Sequence, residues 1–139
     1  MTIAKFCPKL ELLCTRFKDD EAETLKMISN GCQLLESIKV WYSHEDDLNK
    51  NKLLEVIATC SSEKFHELKI HWERLLTEKY LEELEPFLMS WANRMPPKSL
   101  SLIIIDYSSK LKVGKENTEM IEKFKELGVI KKFEIGSVN

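Results

Sequence analysis

The chain has 139 residues and a formal net charge of -2, from 21 basic and 23 acidic side chains. That near-balance gives no whole-chain field for nucleic acid, so none is expected as a partner. Hydrophobic residues at 43% and charged residues at 32% are the proportions of an ordinary globular protein long enough to bury a core, expected here as a single domain over 1–139.

The chain opens with MTIAKFCPKLELLCTRF, which holds the first predicted element and whose apolar residues are broken by Lys5, Lys9, Glu11 and Arg16. It has no signal-peptide core, and no apolar run is long enough to span a bilayer. A location in the cytoplasm or nucleus, with no membrane partner, is the expectation. Cys7, Cys14, Cys32 and Cys60 form no C-x-x-C pair. They read as small, mostly buried residues in a reducing compartment, and no metal or cofactor is expected.

An apolar-x-x-apolar-x-apolar pattern recurs along the chain. Its members are Leu10, Leu13 and Thr15; Leu35, Ile38 and Val40; Phe65, Leu68 and Ile70; Leu100, Ile103 and Ile105; and Ile130, Phe133 and Ile135. The alternating last two positions suit one buried face of a strand. Strands are predicted near 11–16, 36–41, 66–71, 101–106 and 131–135. Two of them share a prelude, Cys7-Pro8-Lys9-Leu10 matching Cys32-Gln33-Leu34-Leu35.

Helices are predicted between the strands. Residues 21–30 carry Leu25 and Ile28 and stop at Gly31. Residues 46–59 carry Leu53, Leu54, Val56 and Ile57, with Glu45-Asp46-Asp47 at the positive end of the helix dipole. Residues 77–94 place Leu81, Leu84, Phe87, Leu88 and Trp91 on one face. Pro86 predicts a kink or two helices there, and Pro96-Pro97 a stop. Residues 116–127 end at Gly128.

Strands alternating with helices are parallel. A doubly wound domain covers both sheet faces and needs near-continuous apolar strands. SIKVW, ELKIH and KKFEI instead alternate polar and apolar residues. The expected fold is therefore an α/β leucine-rich-repeat solenoid, a horseshoe of about five parallel strands on the concave face with helices on the convex face.

The alternate strand positions define what the concave face should show. They form the columns Leu12, Ser37, Glu67, Leu102, Lys132; then Cys14, Lys39, Lys69, Ile104, Glu134; then Arg16, Trp41, His71, Asp106, Gly136. The following position is aromatic four times, at Phe17, Tyr42, Trp72 and Tyr107. These rings have two readings: packing over the turn into the next helix, or a contact ridge, since Tyr and Trp are enriched among hot spots. The candidate partner-binding residues are Arg16, Lys39, Trp41, Tyr42, Lys69, His71, Trp72, Asp106 and Tyr107, with Trp41–Tyr42 and His71–Trp72 as anchors.

No phosphate loop, dinucleotide loop, H-E-x-x-H or G-x-S-x-G is present, and four glycines are too few for a Gly-rich cradle. No enzyme activity is expected. A Cys14–His71 nucleophilic pair is conceivable on the open face but has no third orienting group.

GCQLLESIKVWYS, LLEVIATCSSEKFHELKI, FLMSWANRMPPKSLSLIII and ELGVIKKFEI resemble the C-terminal repeats of F-box/leucine-rich-repeat proteins, in a version expanded in fungi. In that family an N-terminal F-box docks on the adaptor of a cullin-type ubiquitin ligase, and the repeats choose the substrate. The resemblance implies a protein partner or ubiquitination substrate. With no F-box ahead of Lys5, adaptor docking is not expected. The alternatives are a small α/β ligand-binding domain or enzyme, and a degenerate fragment with no selected role.

Overall fold

The computed structural model describes residues 9–18, 20–42, 49–60, 62–73, 77–94, 98–107 and 111–137, with the Cys60 side chain left out. The Cys7-Pro8 prelude, the Asp46 helix start and the Pro96-Pro97 stop lie outside these residues. The described elements are β1 (Leu12–Thr15), α1 (Ala22–Gly31), β2 (Ser37–Tyr42), α2 (Lys50–Cys60), β3 (Glu67–Trp72), α3 (Glu78–Glu82), α4 (Leu84–Ala92), β4 (Leu100–Asp106), α5 (Lys115–Glu126) and β5 (Ile130–Ser137). The expected α/β class with five parallel strands is what the structure has. The five strands form one sheet in the order β1-β2-β3-β4-β5, every pair parallel.

That order contains no reversal. Parallel crossovers are right-handed, so a sheet extended always in the same direction receives its connections on one side. Burial follows this. In β2 the apolar Ile38, Val40 and Tyr42 are buried while Ser37, Lys39 and Trp41 are only half-buried; in β3 Leu68 and Ile70 are buried while Glu67, Lys69 and His71 are half-buried. Two buried rungs run across the sheet, Leu13–Ile38–Leu68–Leu102 and Thr15–Val40–Ile70–Ile104, continued by the partly buried Phe133 and Ile135. Thr15, half-buried at the sheet edge, is the one hydroxyl in them and lies outside the apolar cluster. The apolar members of the rungs join Leu25, Ile28, Leu53, Ile57, Leu81, Leu88, Ile121 and Phe124 from the helices in one contiguous apolar cluster. Each such aliphatic side chain contributes roughly 1.5–3 kcal/mol on full burial.

Local chemistry sets the helix ends. Asn49 caps α2, its Oδ1 accepting from the N–H of Asn51 at 2.8 Å and of Lys52 at 3.3 Å. The predicted 77–94 helix is two helices meeting at Glu83–Leu84. Pro86 lacks an N–H and its ring crowds the Glu82 carbonyl four residues back, so the ladder breaks there and Pro86 sits in the first turn of α4. Lys50 pairs with Glu83 across this break, and the Lys50 hydrogen bond holds the Glu83 carboxyl below its usual range. Past α5, Gly128 takes φ +78, the left-handed conformation that ends the helix and turns the chain into β5.

β4 departs from the expected register. Glu67 pairs with Ser101, and Lys69 with Ile103. Leu100, Leu102, Ile104 and Asp106 are buried, and Ser101, Ile103 and Ile105 face the other way. The assignment of Leu102, Ile104 and Asp106 to the open face is therefore corrected. In LSLIII nearly every residue is apolar, so either face suits the core, and a one-residue slip exchanges the two sets. An irregularity between Leu100 and Ser101 then resets the pairing with β5, where Leu100 meets Ile130 but Ser101 meets Lys132.

Among the described residues, no helix is long and apolar enough to cross a membrane.

Candidate functional site

Where each side chain of β2 and β3 points decides which sequence candidates share a surface. Alternation from the buried Val40 and Ile70 turns Lys39, Trp41, Lys69 and His71 to the half-buried face and Tyr42 and Trp72 to the helices. Tyr42 is 7% exposed and tilts against Trp72 at 5.3 Å, which meets Tyr80 of α3 at 4.4 Å. Tyr42 and Trp72 are thus corrected from concave-face anchors to packing residues between sheet and helices. Asp106, 2% exposed, is corrected likewise. Its Oδ2 accepts the Leu111 N–H at 3.2 Å, and it sits beside Trp72 in register.

The remaining candidates converge. Trp41 and His71, paired in register, stack at 4.7 Å with 16° between ring planes. Tyr107 stands edge-on to His71 at 5.9 Å and 63°. Its hydroxyl lies 3.0 Å from His71 Nδ1. His71 Nε2 is buried with no hydrogen-bond partner among the described residues. An orphan N–H costs more than an orphan lone pair, so the ring proton is assigned to Nδ1, donating to the Tyr107 oxygen. Burial, then Lys69 and Lys39, hold the His71 pKa below its ordinary value against an opposing pull from Glu73. The lowered pKa favours the neutral ring near pH 7, and its cause is burial and the two lysines, not the stacking on Trp41.

Arg16, at the end of β1, reaches across to Glu73 just past β3, its Nη2 donating to Oε1 at 3.3 Å. The pair closes one end of the aromatic row. Below that row Lys39 lies beside Lys69, and Lys69 beside Ile103. Ile105 lies beside His71. At the opposite end of the strands, Ser37 Oγ donates to Glu67 Oε1 at 3.3 Å. The surface is thus an aromatic row, a lysine pair and two isoleucines, rimmed by acids that already have partners.

Sequence reasoning missed Glu73, Ile103 and Ile105. Glu73 lies beyond the apolar pattern and 57 residues from Arg16, so no local signal marks it. Ile103 and Ile105 were hidden by the uniform apolarity of β4. Cys14 is exposed on this face while Cys32 is buried, which corrects the view of the cysteines as mostly interior where Cys14 is concerned. Cys14 and His71 lie on β1 and β3 with β2 between them, so the structure does not bring them together as a pair.

Two concavities lie away from this face. A groove of about 370 Å³ between α2 and α4 is lined by Leu54, Ala58, Pro86 and Phe87 with a few polar neighbours. A second, of about 430 Å³, is bordered by His66, Lys98, Ser99 and Lys131. In the second, Lys98 is already committed to the Glu63 carbonyl, Ser99 to that of Gly128, and His66 faces Glu36 at 3.5 Å. Neither gathers free polar groups as the sheet face does. Among the described residues no three His, Cys, Asp or Glu side chains converge to hold a metal.

Comparison of the chain with protein-family models, with curated proteins and with solved structures finds no match.

Proposed function

We propose that this chain is a protein-binding repeat domain of the leucine-rich-repeat type, whose strand–helix units stack into a curved solenoid that grips a partner across its half-buried sheet face. One observation carries the reading. The sheet runs β1 to β5 in chain order, all parallel, and its less buried face presents the Trp41–His71–Tyr107 row. A doubly wound ligand-binding domain needs one reversal of strand order, where its ligand sits, and this sheet has none. Trp and Tyr are enriched among the few residues that dominate the energy of a protein interface.

The residue runs resembling F-box/leucine-rich-repeat proteins extend the proposal. The bound protein is then of the kind that a ubiquitin ligase marks, and this chain supplies the recognition part. Docking on the ligase adaptor forms no part of the proposal.

Two measurements test it. Small-angle scattering separates an elongated, curved particle from a near-spherical one; a spherical profile overturns the solenoid. Quantitative capture from native cells compares the wild type, Trp41→Ala, and Lys115→Ala on the exposed surface of α5. Proteins lost with Trp41→Ala but kept with Lys115→Ala support the sheet face as the binding surface. An identical set in all three overturns it. Ligase subunits or ubiquitinated proteins among those lost support the extension.

A further inference from the structure

Lys39 and Lys69 stand directly opposite each other on β2 and β3, at the centre of the half-buried face. Like charges so placed repel and destabilise the sheet. The acids on the same face do not relieve them. Glu73 is taken by Arg16 at 3.3 Å, Glu134 by Lys132 at 3.2 Å, and Glu67 accepts from Ser37. Among the described residues neither lysine forms an ion pair; Glu67, bonded only to a neutral hydroxyl, keeps its own charge two residues along β3, so the two lysines leave a net positive charge at the centre of the face. Its field reaches the neighbouring ring, since both lysines help keep His71 from taking a proton. Apolar surface adjoins on one side, where Ile103 pairs with Lys69 and Ile105 with His71.

We propose that Lys39 and Lys69 together receive a carboxylate from an extended acidic segment of a partner protein, with a neighbouring apolar side chain of that segment resting on Ile103 and Ile105. This rests on the protein-binding reading of the same face and names its partner's chemistry. Adjacent strands lie about 4.8 Å apart, within the reach of two lysine stems converging on one carboxylate, whose arrival would replace a repulsion with two attractions. A nucleic-acid backbone fits less well. It would carry its unbroken charge past Glu67, Glu73 and Glu134 and leave the isoleucines without an apolar contact, in a chain whose net charge is -2.

The test uses the full chain, immobilised and exposed to phage-displayed random peptides, with Lys39→Glu/Lys69→Glu and Trp41→Ala in parallel and circular dichroism to check folding. The wild type should select peptides with Asp or Glu next to an aliphatic or aromatic residue. A synthetic copy of the leading peptide should bind about 10-fold or more weakly to the charge-reversed variant. Its affinity for the wild type should also fall with added salt. The same loss should follow Glu→Gln or Asp→Asn within the peptide, a comparison that holds even where the lysine variant fails to fold. Selected peptides without acidic enrichment, or acidic peptides indifferent to both changes, overturn the proposal. So does a fluorescent oligothymidylate whose binding requires the lysines while no acidic peptide binds. Peptides that depend on Trp41 but not on the lysines sink the carboxylate receptor and leave the protein-binding face standing. If no selected peptide depends on any of the three residues, both fall.

Discussion

Trp41 stacks on His71 while the residues that follow them, Tyr42 and Trp72, pack on the opposite side of the same two strands. One pair of strands therefore carries two aromatic pairs with different work. Trp41→Ala removes a half-exposed stack, and an expected loss of about 1 kcal/mol leaves the fold intact. Trp72→Ala empties space between Tyr42 and Tyr80 and should lose about 3 kcal/mol. Urea denaturation of the two variants checks the contrast; equal losses would mean that the two faces are not distinguished as described.

The His71 environment predicts a pH dependence. Burial, Lys69 and Lys39 lower its pKa from 6.5, opposed by Glu73, with Tyr107 hydrogen-bonded to the ring. As pH falls below 6.5 the unfolded chain takes a proton that the folded chain still refuses. This contribution to stability is full above that pH and is lost as pH falls toward the lowered folded value. The urea midpoint of the wild type should drop further between about pH 7.5 and about pH 5.5 than that of His71→Gln. An equal drop in both would show that His71 is not the group responsible.

Asp106 is a charged residue in a buried position, and its Oδ2 accepts the Leu111 N–H. Asp106→Ala leaves that partly buried donor unmet and should destabilise by about 1 kcal/mol. Hydrogen exchange at the Leu111 amide should quicken in the variant. Unchanged protection would mean that the amide is held by something else.

Tyr80 is 3% exposed, and its hydroxyl finds no hydrogen-bond partner among the described residues. Burial, with Glu83 nearby, pushes its pKa well above the usual phenol range. An unmet buried hydroxyl is a cost, so Tyr80→Phe should leave stability unchanged or raise it by about 1 kcal/mol. A clear loss on thermal or urea denaturation would reveal a partner for that hydroxyl.

Cys14 on the exposed sheet face should react with iodoacetamide in the folded protein, whereas Cys32, fully buried, should react only on unfolding. Peptide mapping by mass spectrometry separates the two. Protection of Cys14 would contradict the orientation of β1.

The register of β2 and β3 was legible because LESIKV and FHELKI alternate charged with apolar residues, which permits one facing only. The same alternation, carried two residues past Val40 and Ile70, already turns Tyr42 and Trp72 inward; reading them as a separate aromatic column obscured it. β4 was not legible. With Leu100, Leu102, Ile103, Ile104 and Ile105 all apolar, hydrophobicity cannot choose a face, and burying Asp106 while turning out Ile103 and Ile105 runs against the usual rule. What favours that outcome is tertiary: Asp106 has an amide to satisfy, and Leu102 and Ile104 complete the rungs begun by Leu68 and Ile70. The helix break at Glu83 followed from Pro86, but the Asn49 cap went unnoticed beside the acidic run before it. The Arg16–Glu73 pair joins residues on either side of β2 and leaves no mark in local sequence.

Because strand order equals chain order, each strand bonds, among the described residues, only to the strands before and after it, and no described segment threads between two others. Closing every pairing requires a loop of modest length, so the entropic barrier to assembly is met in small instalments. By the same token, evolution can add or drop a whole strand–helix unit without rerouting the remainder of the chain.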